Sequence, residues 1–303
     1  MSKYQQNLII RSKIIKAIRD FFYENNFIEI ETPVMIKAPA PEEYIEAVTA
    51  HKSQFLRTSP ELQMKKLLCN SSEEFKKIFQ IGSCFRADEN GRKHLEEFTM
   101  LEWYQVAANY EDLMSFIKNM LLFVSKKVFN KTSIEYQGNS INLVSEWQKI
   151  SVKNAFKEFT ETDVDSALKK DEFDFLMVDR IEPKLGLNSP AILYDYPACC
   201  ASLSRLKSSD KTVAERFEMY IAGLELANAY SELTDYNEQF IRFQEALKFR
   251  AEQGMNEYPN AENFLNALKN SGMPECAGCA LGIDRLVMIF TNETDINNVV
   301  YSE

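Results

Sequence analysis

Apolar and polar residues alternate most clearly at residues 97–104, EFTMLEWY. Thr99, Leu101 and Trp103 fall on one face of a strand; Phe98, Met100, Glu102 and Tyr104 fall on the other. The second face sets a carboxylate and a phenol among large apolar groups, which suits a surface that holds something more than packing does. KIFQIGSCFR (77–86) divides the same way, with Phe79, Ile81 and Phe85 opposite Gln80, Gly82, Cys84 and Arg86. Joined by the polar stretch ADENGRKHLEE (87–97), the two predict an antiparallel pair. Ahead of them, Ile10, Ile14, Ile18, Phe21 and Phe22 recur at helical spacing, which predicts a helix over about 9–25. FIEIETPVM (27–35) reads as a strand with Pro33 at its end or at a sheet edge. Residues 36–56 read as loop around APAPEE, and SPELQMKKLL (59–68) as a helix opened by a Ser cap and a Pro.

Further along, 110–130 is an apolar helix and 131–190 a less regular insertion of strand and small helices. AILYDYPA (191–198) and RFEMYIAGLELANAY (216–230) read as two more strands, and 236–252 and 259–270 as helices. GCALGIDRLVMIFT closes the pattern as a Gly-containing turn running into an apolar helix. The prediction is an α+β fold with a mixed, mainly antiparallel sheet flanked by helices and without βαβ alternation. We expect one domain over 1–303.

Composition narrows the picture. A chain of 303 residues that is 45% hydrophobic buries a sizeable core. With 26% charged residues, 9 Gly and 9 Pro, no long disordered segment is expected. A net charge of −10 argues against binding nucleic acid chiefly through its phosphates, so tRNA is not the expected partner. No apolar run approaches the ~18 residues of a membrane span, and the polar start is unlike a secretory signal. Six cysteines in so long a chain are no disulfide scaffold, and a reducing cytoplasm is expected.

Three stretches carry chemistry. The loop after Arg86, with Asp88, Glu89, Arg92, Lys93 and His94, is either a solvated connection or the rim of a phosphate site. The arginine on the mixed face suits the second reading. Glu218, Glu225 and Glu232 are seven apart with Asn228 between. They are surface carboxylates unless a bend or bulge near Gly223 makes them converge, in which case Mg²⁺ is a natural partner. In GCALGIDRLVM, Gly278 and Gly282 let backbone approach a ligand, and Asp284–Arg285 is a helix cap or a ligand contact. Cys276 and Cys279 form a lone CxxC, read as buried thiols.

Together FIEIETPVM, FRADEN…HLEEFTMLEWY and GCALGIDRLVM resemble, in order, the three signature motifs of class II aminoacyl-tRNA synthetases. TSPELQMKKLL and LELANAYSELTD resemble the lysyl branch. A catalytic core with its first motif so near the start, and no anticodon-binding domain ahead of it, resembles the EpmA (PoxA, GenX) family of elongation factor P–(R)-β-lysine ligases. Ala280 in ALGIDR and the wording MPECAGCALGIDRLVM agree. The resemblance implies an ATP-dependent ligase that activates (R)-β-lysine or lysine as an adenylate and passes it to a lysine of elongation factor P. The alternatives are an activating ligase acting on tRNA, a carrier or a free amine, and a catalytically inactive paralogue.

The same resemblance implies the roles. Arg86 would bind the α-phosphate and Asp88 help hold ATP. Phe98 would stack on adenine with Arg285 on its other side, and Arg92 and His94 would meet the outer phosphates. Leu226 and Gly282 would complete the nucleotide site, and Glu218 and Glu225 would hold Mg²⁺. Ser59 and Glu61 would take the amino and carboxylate end of the substrate with Asn228, while Tyr104 and Glu232 receive its distal ammonium. A homodimer through the first motif is implied as well. The chain departs from the pattern at Leu95 (Asn in the family), Glu96 (Pro) and Cys199–Cys200 (Ser-Gln).

Overall fold

The structure is a computed structural model and describes residues 1–70 and 73–301. Eight strands form its main sheet: β1 (Ile28–Glu29), β2 (Lys77–Phe85), β3 (Glu97–Val106), β4 (Gln148–Ser151), β5 (Ala191–Pro197), β6 (Val213–Ile221), β7 (Leu224–Ser231) and β8 (Cys276–Gly282). They lie in the order β1-β2-β3-β8-β7-β6-β5-β4. The six inner strands are antiparallel to one another, and each end of the sheet is closed by a short parallel strand. This is the predicted α+β class.

Alternation on these strands sorts the two faces. Phe79, Leu101, Trp103, Phe217, Ala229, Cys279 and Leu281 turn to the side covered by helices α1 (Lys3–Glu24) and α3 (Tyr110–Phe129), where they enter the main core. Phe22 of α1 stacks on Phe79 at 4.5 Å and meets Trp103 edge-on, so the helix is keyed to the two-faced strand pair. Ile78, Tyr104 and Cys276 turn the other way, onto α2 (Glu61–Cys69) and the later helices α7 (Tyr236–Glu252) and α8 (Glu262–Ser271). Between these in the chain lie α4 (Val152–Phe159), α5 (Val164–Lys169) and α6 (Phe173–Leu176); α9 (Ile283–Thr291) follows β8.

Several boundaries differ from expectation, each for a local reason. Helix α1 starts at Lys3 because Ser2 and Gln5 form a capping box. Of 27–35 only Ile28–Glu29 joins the sheet; past Pro33, Met35–Ile36 pairs with Phe55–Leu56 instead. Ser59 is not the cap of α2, where Pro60 occupies that place without a side-chain bond. The stretch 216–230 is a hairpin, turning at Ala222 and Gly223, both with positive φ. The supposed turn at 278–282 is β8, a central strand, whose small residues gave no strand-like alternation. Residues 131–190 are less detached than expected. Their strand β4 extends the sheet beside β5, and α4–α6 pack Phe156, Ile181 and Tyr220 into a core of their own.

Candidate functional site

A cavity of about 370 Å³ opens on the α2 side of the sheet, lined by Arg86, Phe98, Glu218, Glu225, Asn228 and Arg285 among others. The connection after β2, the start of β3, the β6–β7 hairpin and the β8–α9 junction each contribute. The Arg86 guanidinium lies over the Phe98 ring, 5.1 Å from its centroid, and its buried Nε has no partner among the described residues. Such an orphaned donor in a cleft fits an anion, and the ring below it offers a base a flat surface. Arg285 donates from Nη1 to the Glu225 carbonyl at 2.9 Å and from Nε to the Lys93 carbonyl at 3.2 Å, and touches His94. Asp284 does not pair with Arg285. It accepts from Arg11 and from the Thr99 amide, which leaves Arg285 to face the cavity.

The hairpin explains how two glutamates seven apart converge. Glu218 lies opposite Asn228, and Tyr220 opposite Glu225, because a bulge between Met219 and Tyr220 slips the register. Burial and then the nearby Glu218 charge push Glu225 up to about 7. Glu218 is held by Tyr220 Oη (2.5 Å) and Arg216 Nη2 (2.6 Å), with Asn228 Nδ2 at 3.4 Å. Two facing carboxylates beside orphaned arginine donors fit a divalent cation shared with phosphate oxygens. Among the described residues no group of three or more His, Cys, Asp or Glu could hold a metal without such help.

Beyond the cavity, on the same face, lies a buried polar cluster. Tyr104 donates to Glu102 at 2.6 Å; Lys65 bridges Glu61 and Glu232, each at 2.5 Å. Glu232 was expected to wait for a ligand's ammonium, yet one of its oxygens already holds Lys65. Its other oxygen and the Tyr104 ring crowd Gly278, where a Cβ would stand 2.4 Å from Glu232 Oε1 and 2.3 Å from Tyr104 Cε1. Burial and then Glu61 push Glu102 up to about 8, and burial pushes Glu232 up to about 7. The neighbouring carboxylates hold the Lys65 ammonium charged. With all three carboxylates ionised, as a cationic ligand would make them, one ammonium leaves two negative charges unmatched.

Of the expected residues, Arg86, His94, Phe98, Glu218, Glu225, Leu226, Asn228, Gly282 and Arg285 line the cavity. Glu61, Tyr104 and Glu232 sit together in the buried cluster, with Ser59 two residues before Glu61, its Oγ accepting from the Glu61 amide at 3.4 Å. Asp88 and Arg92 are exposed on the loop and are not brought to the cavity wall. Two of the chain's departures from the family pattern have local explanations. The Glu96 carboxylate accepts from the Asp88 amide at 3.0 Å and so closes the loop, and Leu95 packs on the main core. Cys276 and Cys279 enter opposite cores from one strand, so they cannot share a metal. Sequence reasoning missed Lys65, Glu102 as a site member and Arg216, which stacks on Tyr196 at 4.3 Å. The carboxylate on the mixed face of β3 was the available signal for Glu102; Lys65, one of two adjacent lysines on a helix, gave none.

The chain matches the family described as tRNA synthetases class II (D, K and N) over residues 1–301. It is 37% identical to the elongation factor P–(R)-β-lysine ligase of Proteus mirabilis, over 97% of this chain and 94% of that protein. It is 35% identical to the corresponding ligase of Vibrio cholerae over 95% and 92%. Against the lysine–tRNA ligase of Wigglesworthia glossinidia brevipalpis it is 35% identical over 96% of this chain and 63% of that protein. On this evidence the chain belongs to the class II tRNA synthetase family of the D, K and N type.

Proposed function

We propose that this protein is an ATP-dependent ligase that activates a diamino acid, (R)-β-lysine or lysine, as an aminoacyl-adenylate and transfers it to a lysine side chain of elongation factor P. The observation that carries the substrate class is the charge count of the buried cluster. Glu61, Glu102 and Glu232 against Lys65 leave room for two ammonium groups, which lysine and its isomers carry and most amino acids do not. The relatives matched over nearly their whole length favour the protein acceptor over tRNA.

In the first step the substrate carboxylate attacks the α-phosphorus of ATP and pyrophosphate leaves. Arg86, stacked on Phe98, holds the nucleotide and meets the α-phosphate; Arg285 and His94 meet the outer phosphates. Glu218 and Glu225 would hold a divalent cation, which we assign as Mg²⁺ and which supplies charge neutralisation on the phosphates. The chain's own contribution is mostly positioning and preorganised charge. In the second step the acceptor amine displaces AMP and forms an amide. We place both steps in one catalytic domain acting in the cytoplasm as a homodimer; no helix among the described residues is long and apolar enough to cross a membrane.

The test is ATP–pyrophosphate exchange across α-lysine, β-lysine and monoamino controls, followed by mass spectrometry of elongation factor P. Exchange with a lysine isomer and the matching mass gain on the factor are expected. No exchange with any isomer would assign an inactive paralogue, and exchange with charging of tRNA alone would assign the other branch.

A further inference from the structure

The loop 40–47 is fastened with unusual care for an irregular segment. Arg250 of α7, 1% exposed, donates to the carbonyls of Glu42 (2.7 Å) and Ile45 (2.9 Å) and to the Glu46 carboxylate (2.8 Å). Tyr258, whose ring lies under that guanidinium at 3.9 Å, accepts from the Ala47 amide at 2.6 Å. On the other side the Ala87 amide donates to the Glu46 carbonyl at 2.8 Å, which ties the loop to the residue after Arg86. A buried arginine spent on loop carbonyls fixes what the loop presents, and that is Glu42. Its side chain lines the cavity, and among the described residues its carboxylate makes no hydrogen bond or ion pair.

The charged groups facing Glu42 are Arg86 and Arg216 on the phosphate side and Glu61 and Lys65 on the amino-acid side. Glu42 therefore lines the same cavity as Arg86 and Arg216 and feels the charges of Glu61 and Lys65 as well, within the field of both the phosphate side and the amino-acid side. None of the roles assigned so far uses it. Burial pushes its carboxyl up to about 7, the range in which a carboxylate takes a proton readily at neutral pH.

We propose that Glu42 is the general base of the transfer step, an assignment that rests on the ligase reading above. An acceptor lysine arrives as an ammonium and cannot attack until it loses a proton. That proton passes to the Glu42 carboxylate. The neutral nitrogen then attacks the carbonyl carbon, the C–N bond forms, and the C–O bond to phosphate breaks with its electron pair leaving on AMP. A second proton leaves the nitrogen for solvent as the amide forms, and Glu42 releases its own proton to solvent before the next turnover.

The test is Glu42→Gln, read in three assays: pyrophosphate exchange, hydroxamate formation with hydroxylamine, and transfer to elongation factor P and to a simple alkylamine. Hydroxylamine is neutral at pH 7 and needs no base. Transfer to either amine should fall by about 10²-fold or more, the usual worth of a general base, and recover as pH rises and the amine deprotonates unaided. Exchange and hydroxamate formation should stay within about threefold, since neither calls on a base of this kind. Glu42→Asp should restore part of the transfer. If exchange falls as far as transfer, Glu42 holds the amino acid and the proposal is wrong; unchanged transfer to both amines overturns it equally. Should wild-type enzyme modify the alkylamine but never elongation factor P, the acceptor assignment fails instead, and the alkylamine series alone decides the role of Glu42.

Discussion

Glu102 shows what a single alternating strand reveals and what it hides. Its place on the Phe98–Tyr104 face is plain from the sequence, and the structure puts it 2.6 Å from Tyr104. Its partner charges are not plain, because Lys65 and Glu232 reach it from other elements, 37 residues before it and 130 after. The raised carboxyls set a pH dependence. Glu102 at about 8 and Glu232 at about 7 are largely protonated in the free protein below those values. A diammonium ligand must displace those protons, so its affinity should rise with pH through 7 to 8. The sign for stability is the reverse. With folded values above the ordinary 4.5, both groups hold extra protons in the folded state, so their contribution is full below pH 4.5 and is lost as pH rises through 7 and 8. In Glu102→Gln the amino-acid KM from pyrophosphate exchange should rise by about 10-fold or more, in line with ~1.5–3 kcal/mol for a hydrogen bond to a charged group. The step in KM near pH 8 should disappear with it. An unchanged step would place the titration elsewhere.

At the scale of elements, strands β2 and β3 and helix α1 were legible because each carries a clear period of 2 or 3.6. The β6–β7 hairpin was legible only as a bend or bulge near Gly223 that convergence of the glutamates would require; that 216–230 is two strands, and that the bulge falls between Met219 and Tyr220, appears only in the pairing. Strand β8 was not legible, its CAGCALG being too small-sided to alternate. The link between helix α1 and the cavity was equally invisible. Arg11 donates to Asp284 at 2.5 Å and to Thr99 Oγ1 at 2.7 Å, while Asp284 also accepts from the Thr99 amide at 2.7 Å. Thr99 follows Phe98 and Asp284 precedes Arg285, so one arginine of the first helix sets both walls of the nucleotide site. Arg11→Met leaves Asp284, 2% exposed, without its cation. Breaking a buried pair from one side costs about 3–5 kcal/mol, though Arg11 is partly exposed and the lower end is expected. Chemical unfolding should show that loss, and the KM for ATP should rise while the amino-acid KM moves less. A stability loss with both KM values intact would make the link a fold contact only.

For the whole molecule, the ordered motifs made the family legible, whereas the strand order β1-β2-β3-β8-β7-β6-β5-β4 brings together segments that no local pattern connects. The same order leaves one large apolar surface beside the β1 edge. A groove of about 890 Å³ runs between residues 30–38 and helices α2 and α8, lined by Pro33, Met35, Leu62, Leu67 and Phe264. Met35 in its lining is 45% exposed, and Tyr23, Ile28 and Val34, on the same first-motif segments, are 38–52% exposed. A second copy meeting it across a two-fold axis would bury the same patch twice. The groove is also tied to the cavity: the Thr32 amide donates to Gln80 of β2 at 2.8 Å, and buried Arg57 joins the Thr32 carbonyl (2.9 Å) to the Ser83 carbonyl (2.8 Å), three residues before Arg86. Met35→Lys places a charge in that groove without touching the site. By sedimentation at micromolar concentration the parent should be a dimer and the variant a monomer. Pyrophosphate exchange in the monomer should fall by about tenfold, within the roughly 10²-fold that a 1 Å misplacement of a catalytic group brings. A parent that sediments as a monomer would remove the two-fold contact, and a fully active monomeric variant would show that β2 holds Arg86 in place without it.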